Sequence, residues 1–246
     1  MSTTMTAPEP REPATINLML AGLTFSAGYL DAVSYLGLGH VFTANMTGNT
    51  VLLGIAIAGM HSARVIGSLL ALAGYCSGVA LGTLVLYSRR LRTPDPSHAW
   101  RTLLCEMAFI MLLMLLWTTY LASESPRAAQ GVFIALSAIA MGMQTEAARC
   151  MSIGGVATTF VTGTLSDLSA GWIARVFGHA RTARTRFELS GRPSWRFLIA
   201  VWPIYVTGGA AGAFAVVRWT GRSLVAPIAI VGIASAIAYI ERRAWS

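Results

Sequence analysis

The chain has 246 residues, of which 55% are hydrophobic and 11% charged, with 18 basic against 10 acidic side chains. So few charges cannot cover a soluble domain of this size, and the composition points to a bundle embedded in a lipid bilayer. The basic excess is entirely arginine, and the arginines gather beside apolar runs, which fits membrane topology and argues against nucleic-acid binding.

Residues 1–15 are polar and contain proline, and they are expected to form a disordered tail. They lack the basic start and cleavage site of a signal peptide. Apolar runs of spanning length follow at about 16–36, 65–87, 102–121, 129–148, 197–217 and 224–240. Two further segments, about 43–60 and 157–176, open with Thr, Asn and Gly and turn apolar only afterwards. Cys76, Cys105 and Cys150 lie in or beside apolar runs, with the spacing of neither a disulfide framework nor a zinc site. His40, His61, His98 and His179 are scattered through loops, so neither a metal nor a cofactor is expected.

The two ambiguous segments carry one motif. Thr43-Ala-Asn-Met-Thr-Gly-Asn49 superposes without a gap on Thr158-Thr-Phe-Val-Thr-Gly-Thr164, and upstream Asp31 falls on Glu146. Farther on, Tyr75, Gly78 and Gly82 match Tyr205, Gly208 and Gly212. The chain therefore reads as two copies of one membrane unit, 16–121 and 122–246, whose interface is where cargo sits in repeat-built transporters. Four-residue glycine spacing favours a packing seam between the copies and also suits a homo-oligomer.

Arginine placement separates two topologies. With six crossings and a cytoplasmic N-terminus, Arg11, the cluster Arg89/Arg90/Arg92/Arg101, Arg149, the loop 175–196 and Arg242/Arg243 share the inner side. Only Arg64, Arg127, Arg218 and Arg222 then lie outside, a stronger bias than eight crossings allow. The expected fold is all-α and polytopic, with six transmembrane helices plus two re-entrant half-helices in a 3+3 inverted repeat. Eight spans in a 4+4 parallel repeat are the alternative. In the first arrangement both termini and the basic loop are cytoplasmic, and Arg181, Arg184 and Arg186 can meet anionic lipid.

The run from Ala27 to Asn49, with Asp31, Asn45 and Gly48 in it, resembles the YoaK family. So does Ala140-Met-Gly-Met-Gln144, followed by Thr158 to Thr164. Thr145 stands where the family usually carries asparagine. The resemblance implies a multi-span protein of the bacterial inner membrane and brings no known chemistry with it.

The candidate binding residues follow from these motifs. Asp31 sits deep in the first span, where an ionisable group marks function unless it is paired or caps the Asn45 segment. Asn45, Thr47, Gly48 and Asn49, with Thr158, Thr162, Gly163 and Thr164, supply neutral hydrogen-bonding groups and helix starts whose free N–H groups favour an anion. Gln144 can donate and accept inside the bundle, and Asp167 follows the second motif. Glu146 is expected to pair with Arg149 three residues on. No nucleophile–base set, phosphate loop or HExxH appears, so an enzyme is not expected. The expected function is a transporter or channel for a small polar or anionic solute moving between the repeats. The alternative is a non-transporting scaffold or accessory subunit.

Overall fold

A computed structural model describes residues 14–87, 95–120, 126–151, 169, 172–173 and 195–244. Its main elements are α1 (Ala14–Gly37), α2 (Met46–Ala58), α3 (Ser62–Leu86), α4 (Ala99–Tyr120), α5 (Pro126–Met151), α6 (Trp195–Trp219) and α7 (Val225–Glu241). Six of these match the apolar runs to within three residues at each end. Five stretches are long and apolar enough to cross a bilayer, and the last, Ile199–Glu241, holds both α6 and α7. The 3-10 turn Thr220–Leu224, with Thr220 at φ 45°, breaks it in two. The chain is thus an all-helical, multi-pass membrane protein among its described residues. At 13 residues α2 is only about 20 Å long, too short to cross a hydrocarbon core of roughly 30 Å.

Helix ends are set locally. Asp95 Oδ1 accepts from Ser97 N at 2.9 Å and starts the 3-10 turn Pro96–His98 ahead of α4. Pro126 opens α5, where a missing N–H costs nothing. Gly59 and Met60, the latter at φ 53°, close α2 and turn the chain into α3.

Two tight helix pairs form the frame. In α3, Gly74, Gly78 and Gly82 lie against Ala135, Ile139 and Met143 of α5. In α6, Gly208 and Gly212 lie against Phe25 and Tyr29 of α1. At Gly78, Gly208 and Gly212 any Cβ would overlap a carbonyl of the facing helix, so only glycine permits the contact. Residue numbers rise together along each pair, so α1 runs parallel to α6 and α3 parallel to α5.

The two pairs run in opposite directions. Gln144 Nε2 donates to Leu23 O at 3.0 Å, while Ser137 Oγ donates at 3.1 Å to Thr43 Oγ1, which stands beside Ser34. Going up α5 therefore means going down α1. Antiparallel contacts fix the rest. Gly22 and Tyr29 of α1 meet Ile230 and Ser223, and Trp100 and Thr118 of α4 meet Ser235 and Gly221. Helices α1, α4 and α6 share one direction, and α3, α5 and α7 the other. One end of the bundle consequently carries Arg101, Arg149, Arg242 and Arg243, and the opposite end Arg64, Arg218 and Arg222.

Candidate functional site

After α1 the chain turns at Gly39 and His40, both at positive φ, and returns alongside the helix it has just left. By Ala44 it lies level with Asp31, six residues and about 9 Å below the end of α1. Asp31 is 3% exposed and holds this return. Its Oδ1 accepts from Thr43 N at 2.8 Å and Ala44 N at 2.7 Å, with Asn45 N at 3.4 Å. Its Oδ2 accepts from the Tyr205 hydroxyl of α6. Three consecutive amides aimed at one carboxylate oxygen form an anion nest, and the protein's own aspartate fills it.

Both asparagines of the motif also serve the backbone. Asn45 Oδ1 accepts from Gly48 N at 3.0 Å and caps α2. Asn49 is fully buried and clamps Phe42 at both ends, accepting from its N–H at 2.9 Å and donating to its carbonyl at 2.5 Å. Gly48 faces the Phe42 ring, where a Cβ would crowd it. Thr47 is exposed on the first turn of α2. Thr43 Oγ1 joins Ser34 of α1 and Ser137 of α5 in a buried hydroxyl cluster. Gln144 is buried at the α1–α5 crossing, one layer below.

The first motif and Gln144 are thus placed, and Asp31, Asn45 and Asn49 are brought together. Asp31 acts as a cap and hydrogen-bond partner, the reading the sequence held open beside a functional one. The free N–H groups expected to attract an anionic solute are partly taken by Asp31. Thr158, Thr162, Gly163, Thr164 and Asp167 lie outside the described residues, as do Arg181, Arg184 and Arg186. The Glu146–Arg149 ion pair forms as expected, at 3.3 Å.

Tyr205 is the partner that sequence reasoning did not assign to Asp31. The repeat held the signal, because Tyr75 and Tyr205 are matched positions. Tyr75 donates at 2.9 Å to Thr145, next to the acid matched to Asp31. Tyr205→Phe is expected to destabilise by roughly 1.5–3 kcal/mol, since it removes a bond to a buried carboxylate. Tyr75→Phe should cost about 1 kcal/mol. Thermal unfolding of both variants in detergent checks this order, and equal losses would refute it.

Beside the motif lies a cavity of about 220 Å³ between the α1–α2 return, α2 and the start of α3. Tyr35, His40, Arg64 and Ser68 give it polar edges, and Val41, Leu52, Ile55 and Ala56 an apolar floor. It borders the returning backbone at Val41, two residues before the Asp31 nest.

A family model described as "Protein of unknown function (DUF1275)" matches residues 19–237. The UPF0700 transmembrane protein YoaK of Bacillus subtilis (strain 168) is 40% identical over 161 residues, covering 65% of this chain and 69% of that protein. No solved structure matches the chain.

Proposed function

The chain belongs to the family described as protein of unknown function (DUF1275), as the run from Ala27 to Asn49 led us to expect, and from that premise we propose that it is a transporter or channel for a small polar solute. The solute passes at the interface of two inverted repeats, near the starts of two half-helices. The observation that carries this reading is the pair of glycine-packed helix couples running in opposite directions. Matched elements of the two copies, α1 with α5 and α3 with α6, run against each other, the arrangement on which alternating-access carriers are built. The short α2, dipping back to Asp31, serves as a re-entrant segment whose irregular backbone is satisfied inside the protein. The cavity at Tyr35 and Arg64 is its mouth. Because Asp31 already faces the α2 start, a neutral polar solute fits better than an anion.

In this reading the protein lies in the bacterial inner membrane, with both termini and the arginine-rich end of the bundle in the cytoplasm. The basic loop with Arg181, Arg184 and Arg186 lies against anionic lipid there. The test combines two measurements. Single cysteines at Thr47 and Thr164, in a cysteine-free background, are treated with charged thiol reagents from each side of the membrane. We expect Thr47→Cys to label from outside and Thr164→Cys from the cytoplasm. Labelling of both from one side would overturn the inverted arrangement. Osmotic swelling of proteoliposomes in a panel of small polar solutes then tests passage. No protein-dependent swelling with any of them would leave the scaffold reading in its place.

A further inference from the structure

Glu106, about two turns into α4, has no exposed surface, and neither carboxylate oxygen has a hydrogen-bond partner among the described residues. The other acids described all have an evident role or exposure. Asp31 caps the α2 return, Glu146 pairs with Arg149, Asp95 caps a turn and Glu241 ends α7. Arg101, on the same helix, is five residues away, about 140° around the axis, and lies over the Trp100 ring.

The surroundings at this depth are polar but uncharged. On α7, Gly232 meets Met107 and Ile230 meets Gly22, while Gln144 meets Leu23, so Glu106 lies about one turn from the Gln144 layer. The hydroxyls of Ser26 and Thr102 are likewise buried without a partner among the described residues. Thr102 is one turn from Glu106 on the same face of α4. Helix α5 brings the neutral Gln144 to that neighbouring layer, and its Glu146 and Arg149 are occupied with each other. Helix α7 carries no charge before Glu241, and α3 none between Arg64 and its C-terminal end, its titratable groups there being Tyr75 and Cys76. The flanking turns contribute Asp95, His98, Arg242 and Arg243 at one end, Arg242 lying over the Tyr239 ring, and Arg222 at the other. Among the described residues no cation pairs with Glu106, and an ionised carboxylate in such a place is far costlier than a neutral acid.

We infer that Glu106 is a proton-binding site, a carboxyl held as the neutral acid in the closed bundle and ionised when water reaches it. On binding, an O–H bond forms on one carboxylate oxygen and the donating hydronium becomes water. On release the proton returns to water entering between α4, α5 and α7. The inference goes beyond the transport reading and needs no solute.

Infrared spectroscopy of the full chain in lipid nanodiscs tests it. The difference between wild type and Glu106→Gln at neutral pH is expected to show one protonated-carboxyl carbonyl band, lost reversibly as pH rises. Absence of that band at neutral pH would mean an ionised Glu106 and overturn the inference. A band that persists until the protein unfolds at alkaline pH would mark a static buried acid and overturn it as well. Should Glu106→Gln fail to fold, Glu106→Asp takes its place. A frequency shift assigns the band to position 106, and an unshifted band refutes the assignment.

Discussion

Asp31→Ala is expected to produce a larger loss of stability than any single side-chain truncation within the first motif it holds. It strips the acceptor from the amides of Thr43 and Ala44, from the weaker contact of Asn45, and from the Tyr205 hydroxyl. Each buried donor left unsatisfied costs about 1–3 kcal/mol, so the total is on the order of 3–5 kcal/mol. A membrane protein of ordinary stability, roughly 5–15 kcal/mol, would lose much of its margin. Asp31→Asn should be milder, about 1–2 kcal/mol. Its Oδ1 still serves the amides, while its Nδ2 forces Tyr205 to turn from donor to acceptor. Thermal unfolding in detergent, followed with hydrogen exchange over residues 42–50, reads both effects. An Asp31→Ala protein as stable as wild type would show that the carboxylate does not hold the return and would reopen it as a solute ligand.

Gly78→Val should be at least as damaging by a different route. The new side chain would overlap the carbonyl of Ile139, which belongs to backbone and cannot rotate away. The α3–α5 pair must separate along its length, placing the cost at or above the top of the ~1–3 kcal/mol range for overpacking. Gly212→Val should do the same to α1 and α6, where it meets Tyr29. Gly54→Ala on α2 is the control, because nothing lies within 4 Å of a Cβ there. It should stay within about 0.5 kcal/mol of wild type. Yield of monodisperse protein and its midpoint of thermal unfolding separate the three. A Gly78→Val protein that behaves like Gly54→Ala would refute the close crossing.

Much of the architecture is visible in one dimension because lipid imposes a long apolar run for every crossing. The helix ends follow, since proline, glycine and an Asp-Pro-Ser turn mark them locally. The short α2 also announces itself, as Thr, Asn and Gly open it and only 13 residues remain before Gly59. Pairing between helices is harder to see. Asp31 is visibly unusual, but Tyr205 lies 174 residues away and nothing local links them. Asn49 shows the same limit at short range. Its polarity suggests a ligand, whereas its burial against Phe42 makes it a backbone clamp. Glu106 is the converse case. Arg101 is its one near neighbour in sequence, and helical geometry turns it away, while Arg149 on α5 is occupied by Glu146.

The parallel couples also set a schedule for biogenesis. Helix α1 leaves the ribosome before α6, yet the surface that receives Phe25, Gly28 and Tyr29 belongs to α6, made only from residue 195 onward. Until then α1 must wait in the membrane with its aspartate lacking the tyrosine that completes it. The α3–α5 couple, by contrast, is complete once Met151 has emerged. A nascent chain stopped after Met151 would hold its inner couple while its first helix, touching α5 through Leu23 and Gln144, still lacked the glycine face of α6.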